Sequence, residues 1–166
     1  MEQRQRSILK LCCLAVVVLF SWATGQDLRI GVLAHDVAPL FGATKVEKGV
    51  DVNAEIVFGE KTVRAFTGFS LASHGHSHSV YGGVLVGTVG TGSFAEFGSG
   101  FAYIVNPLRN FGSDLLFRFS LEIGHKWGRR MLSFYFAHMS NGKAIFGWDV
   151  PNAGLDVLGV RLGIQF

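Results

Sequence analysis

The chain has 166 residues, enough for one domain, with 49% hydrophobic and 16% charged residues. Both cysteines, Cys12 and Cys13, fall within the first 25 residues, which excludes disulfides and thiolate chemistry from everything after them. Beyond residue 25 the charges almost cancel, twelve basic against eleven acidic. The basic pI therefore owes much to the first residues, and nucleic-acid binding has no support.

Residues 1–25 read as a signal peptide. Arg4, Arg6 and Lys10 precede the short apolar run "LCCLAVVVLF", and Ala23 and Gly25 follow at the spacing of a cleavage site. From residue 26 to 166 no apolar run is long enough for a membrane helix. Instead, segments of about ten residues alternate with a period of two, the pattern of a transmembrane β-barrel. In "GVDVNAEIVF", Val50, Val52, Ala54 and Ile56 alternate with Asp51, Asn53 and Glu55. In "LLFRFSLEIGHK", Leu115, Phe117, Phe119, Leu121 and Ile123 alternate with Arg118, Ser120 and Glu122. The chain ends on "LGVRLGIQF", an alternating strand closed by Phe166, which resembles the recognition signal of bacterial outer-membrane proteins.

These patterns predict eight strands, near 27–36, 48–58, 62–72, 79–88, 93–105, 115–126, 130–140 and 155–166. The fold class is all-β: an eight-stranded antiparallel transmembrane β-barrel of the bacterial outer membrane. Short turns at 59–61, 90–92 and 127–130 belong on the periplasmic side, and the longer connections at 37–47, 73–78, 106–114 and 141–154 outside. Inward parity collects Arg29, Arg64, Arg118 and Arg161 with Asp51, Glu55, Glu96 and Glu122. Balanced charge of this kind predicts a filled interior rather than an open channel.

In strand seven Leu132, Phe134, Phe136, His138 and Ser140 share one face. Three large apolar residues make it the lipid face, so His138 and Ser140 project outward near the extracellular end. On strand eight the lipid parity runs back from Phe166 to Leu158 and Asp156. If the two strands pair symmetrically about their loop, His138 lies opposite Asp156. Hydroxyl, imidazole and carboxylate are the parts of a serine hydrolase, and Asn141 or loop amides are candidate oxyanion donors. Polar residues among lipid headgroups would give the same pattern without catalysis.

The stretch "FAHMSNGKAIFGWDVPNAGLDVLGVRLGIQF" resembles the C-terminal signature of the PagL family of outer-membrane lipid A 3-O-deacylases. It contains the His-x-Ser-Asn core as His138, Ser140 and Asn141. The Pro-Asn-x-Gly element follows as Pro151, Asn152 and Gly154, with the acid, Asp156, two positions later. "IGVLAHDV" also resembles the family's first strand. The resemblance implies an esterase that removes the 3-linked acyl chain of lipid A without metal or cofactor. Ser140 would be nucleophile, His138 base and Asp156 its orienting acid, with Asn141 and Asn152 as oxyanion donors. The partner would be lipid A or lipopolysaccharide of the outer leaflet, and a homodimer is left open. Where the family implies glutamate at the acid position, this chain has the shorter Asp156. Two alternatives stand beside this reading: a phospholipase-type esterase, and a non-enzymatic adhesive or structural barrel.

Other features carry weaker expectations. In "SHGHSH", His74, His76 and His78 alternate, but no carboxylate stands near them in sequence, so an exposed polar loop is expected rather than a metal site. His35 and Asp36 close strand one without an assigned role. His125, Lys126 and Trp127 mark the periplasmic edge, where an aromatic girdle is expected. Asn106–Asp114 reads as a short helical turn, and Arg109 and Lys143 as loop cations facing the lipid A phosphates.

Overall fold

The computed structural model describes residues 26–37, 47–88, 90–143, 147 and 154–166. The leader expected at 1–25 lies outside them, as do Pro151 and Asn152. The first half of the barrel comprises β1 (Gln26–His35), β2 (Val50–Phe58), β3 (Val63–Ala72) and β4 (His78–Gly87). The second half comprises β5 (Gly92–Val105), β6 (Leu115–Trp127), β7 (Arg130–Ser140) and β8 (Leu155–Gln165). Each strand pairs antiparallel with the next, and β8 closes on β1. The eight expected strands are all present, each end within two residues of its expected position. Closure satisfies the strand backbones internally, as a hydrocarbon layer demands.

Period-two alternation becomes an inside and an outside. Outward positions such as Val52, Phe101, Ile123, Phe134 and Leu162 are exposed, Phe134 by 71% and Leu162 by 65%. Exposed apolar area on this scale, running round the wall, belongs in lipid. Inward positions are buried. The interior is packed by Leu33, Phe66, Tyr81, Ile104, Leu116, Tyr135 and Met139 among others.

The rest of the interior is ionic. Arg29 Nη1 lies 2.6 Å from Glu96 and 2.7 Å from Glu122, and its Nη2 lies 3.0 Å from Asp27. Arg64 pairs with Glu96 at 2.7 Å, and Arg161 joins Glu55 at 2.7 Å and Glu122 at 3.3 Å. Arg118 stacks over the Tyr81 ring, 3.9 Å from its centroid, and donates to the Tyr135 hydroxyl. The eight charged residues expected inside are all buried there. The expectation missed two partners, Asp27 and Lys126, which pair at 3.3 Å. It also left Asp51 among the arginines, whereas Asp51 binds His35.

The glycine-rich middle strands owe their composition to close approach. Gly83 and Gly100 face each other across β4 and β5. A Cβ on Gly83 would stand 2.2 Å from Ser99 O, and one on Gly100 would stand 2.1 Å from Gly82 O. Only hydrogen fits there.

Chain direction separates the two ends of the barrel. One end carries the short turns and both strand termini, Gln26 and Gln165; the other carries the longer loops. At the short-turn end Trp127 is exposed and its ring lies 4.7 Å from that of His125, in keeping with an aromatic girdle. At the loop end the helical turn expected over 106–114 is absent: the segment is a series of bends. Its geometry is set by anchors instead, since Ser77 N–H donates to Asn106 O and Ile104 N–H to Asp114 O. Asn106 itself takes a left-handed conformation, φ 54°.

Candidate active site

At the loop end β7 and β8 run side by side, and His138 stands directly opposite Asp156 in their ladder. The symmetric pairing expected about the loop is the observed one. His138 Nδ1 lies 2.6 Å from Asp156 Oδ1. A carboxylate can only accept, so Nδ1 carries the proton and donates it. That assigns Nε2 as the proton-accepting nitrogen of a neutral ring. The Asp156 side chain is 4% exposed and the imidazole 21%, so the acid lies behind a ring that reaches the surface.

Asp156 is held from both sides. Its carbonyl accepts from Val37 N–H at 3.1 Å, while β7 fixes the opposite edge. Gly154, two residues before it, is left-handed (φ 53°), and a Cβ there would sit 3.5 Å from His138 Cε1. The chain therefore turns tightly beside the imidazole, where a side chain would be strained.

Ser140 follows on the same outward face as His138, one residue pair further along β7 and opposite Phe117. Side chains two apart on a strand leave it about 7 Å apart at their bases, a gap the length of an imidazole largely spans. Ser140 is 8% exposed. Next to it Asn141 is buried: its Nδ2 donates to Phe111 O at 2.8 Å, and its Oδ1 accepts from Lys143 N–H at 3.0 Å. Asn141 thus fixes the turn that leaves β7. Around these groups the outward wall is apolar. Phe119 pairs with His138 across β6, Leu158 lies one outward position below Asp156, and the Phe101 and Phe117 rings stand 5.3 Å apart.

A profile of the lipid A 3-O-deacylase (PagL) family matches residues 16–165, nearly the whole chain. The chain belongs to the PagL family. PagL members are ester hydrolases acting on lipid A, so this chain is an enzyme of that class. A solved structure described as the outer membrane enzyme PagL shares the barrel, with a TM-score of 0.60 at 16% identity. The alignment covers 86% of this chain and all of that one. No functionally curated protein matches.

The other expected loop features behave differently from their sequence reading. The three histidines do not point one way: His78 Nδ1 accepts from Ala72 N–H, His76 contacts Asn106, and His74 Nε2 meets Glu47 Oε2 at 2.9 Å. The carboxylate thought to be missing beside His74 is Glu47, twenty-seven residues earlier. Arg109 turns inward, 2.8 Å from Asp36 and 3.4 Å from Glu47, rather than toward lipid headgroups. Lys143 is exposed. His35 gains a place it lacked in the sequence, buried between Asp51 at 2.7 Å and Glu47 at 3.0 Å. Burial alone would push the Glu47 carboxyl up, but donation from His35, His74 and Ser77 outweighs it and holds the group at about 2.

Proposed function

We propose that this chain cleaves the ester-linked acyl chain at position 3 of lipid A, using Ser140, His138 and Asp156 as a triad on the outward face of the barrel. The observation that carries the reading is the 2.6 Å His138–Asp156 contact, placed on an apolar wall with a serine on the same face. Family membership supplies the substrate. Ser140 Oγ attacks the ester carbonyl as His138 Nε2 takes its proton, forming a tetrahedral oxyanion. Collapse expels the 3-hydroxyl of the sugar, which receives that proton, and leaves the acyl group on Ser140. Water activated by the same nitrogen then releases the fatty acid. Asp156 keeps the ring oriented and stabilises its charged form. Asn141 and Asn152 are our assignments for the oxyanion, Asn152 lying outside the described residues.

The apolar surroundings suit a lipid substrate whose hydrocarbon remains in the bilayer. Phe117 and Phe119 flank the dyad on one side, and a groove of about 460 Å³ between β1 and β8, lined by Ile30, Val160 and Leu162, runs along the wall on the other. We assign the loop end to the extracellular side of the bacterial outer membrane, because barrels of this class keep short turns and termini in the periplasm. Residues 1–25 are on this reading the export signal.

The test is mass spectrometry of lipid A from a bacterium with 3-acylated lipid A that expresses the chain. Loss of one 3-linked acyl chain is the expected result. Intact lipid A beside a folded, membrane-inserted barrel would sink the assignment, and release of phospholipid acyl chains instead would replace it with a phospholipase.

The exchange Asp156→Glu probes the acid. With Oδ1 already 2.6 Å from Nδ1, the added methylene must displace the ring, and kcat is expected to fall about 10²-fold. Turnover on purified lipid A at equal folded barrel measures it, and an unchanged or higher rate would show that the strand positions leave room for the longer acid.

A further inference from the structure

Away from His138 and Ser140, the loop end holds a second cluster that the proposed hydrolysis does not use. His35 Nε2 and His74 Nε2 converge on the same oxygen, Glu47 Oε2, at 3.0 and 2.9 Å. One ligand atom from each of the three residues lies within 4.8 Å of the others. The imidazole rings stand 4.7 Å apart at 59°. The other carboxylate oxygen, Oε1, is fixed by Ser77 Oγ at 2.9 Å and Arg109 at 3.4 Å, which aims Oε2 at the two rings.

Behind His35, Asp51 Oδ1 lies 2.7 Å from Nδ1. A carboxylate on one ring nitrogen fixes the tautomer and turns the lone pair of the other outward, the arrangement found behind metal-bound histidine. Without metal a proton on Nε2 bridges to Glu47 Oε2 at 3.0 Å, in the position a metal cation would take instead.

We propose that His35, His74 and Glu47 form a zinc site with Asp51 holding His35 from behind. Two imidazoles and a carboxylate are a zinc donor set, whereas calcium and magnesium prefer all-oxygen sites. Zinc bonds of about 2.0–2.1 Å in a tetrahedron set donors roughly 3.3 Å apart, so the present contacts open by only a few tenths of an ångström. Water completes the fourth position. The ion has no part in ester cleavage. It ties the end of β1, the segment before β2 and the β3–β4 loop into one rigid corner. That corner adjoins the acid, since His35 pairs with Val157 and Val37 holds the Asp156 carbonyl.

The experiment uses the folded protein in detergent, stripped with chelator and dialysed against zinc alone, with metal content and thermal unfolding measured. One equivalent of zinc is expected, with a folded-to-unfolded ratio raised about 100-fold at a zinc concentration 100 times Kd. Glu47→Gln, nearly isosteric, and His74→Ala, which removes the most exposed of the three ligands, should each lose that equivalent. Asp51→Asn should weaken affinity 10- to 100-fold without abolishing it, and His76→Ala, outside the ligand set, should leave it intact. A folded wild type that takes up no zinc overturns the proposal, as does equal uptake by wild type and a folded Glu47→Gln or His74→Ala barrel.

Discussion

Ser140→Ala is expected to abolish deacylation of purified lipid A in mixed micelles, lowering kcat by about 10⁶-fold, the scale seen when a triad enzyme loses its nucleophile. The change should leave the barrel intact: Ser140 is the last residue of β7, and alanine keeps the ladder it shares with Phe117. Equal heat-modifiable mobility of the two proteins on gels would establish that. Because nucleophile and base act as one unit, Ser140→Ala combined with His138→Ala should be scarcely worse than either alone. Additive losses would mean that the two side chains work separately, and an active Ser140→Ala protein would remove Ser140 from the mechanism.

The second large effect belongs to the interior. Arg29 is fully buried and contacts Asp27, Glu96 and Glu122. Arg29→Met leaves those carboxylates short of a shared cation in a setting with little water. Removing one partner of a buried ionic group costs about 3–5 kcal/mol. Urea unfolding of the refolded barrel should show a midpoint lower by more than about 1 M. Adding Glu122→Gln removes one of the stranded charges, so the double variant should lose less than the sum of the single losses. A midpoint unchanged in Arg29→Met would mean that Arg64, Arg161 and Lys126 already satisfy the carboxylates.

The strands were legible because alternation over about ten residues has one physical cause, a wall with lipid on one side and packed side chains on the other. The same parity carried His138 and Asp156 to one rung, since both strands end at the same loop. Parity alone would also put Lys126 inward with Arg118 and Glu122, but beside Trp127 it reads as part of the barrel's edge, and its pairing with Asp27 escapes the sequence. Loops obey no such period. Glu47 meets His74 and Arg109 from far along the chain, and nothing in the spacing of "SHGHSH" announces a carboxylate. Asn106–Asp114 carries helix-compatible residues, yet its path is set by the backbone of Ser77 and Ile104. Contacts between separate loops are tertiary facts, and one sequence does not print them.

The His138 imidazole, 21% exposed, stands on the outward face of the wall opposite Asp156. With the proposed triad on that wall, the enzyme would meet its substrate by lateral diffusion in two dimensions. Bulk concentration then drops out of the rate, and the mole fraction of substrate in the leaflet takes its place. Every other lipid competes for the same stretch of wall by abundance alone. A change in leaflet composition or packing can throttle or release such a catalyst while the protein itself stays as it was.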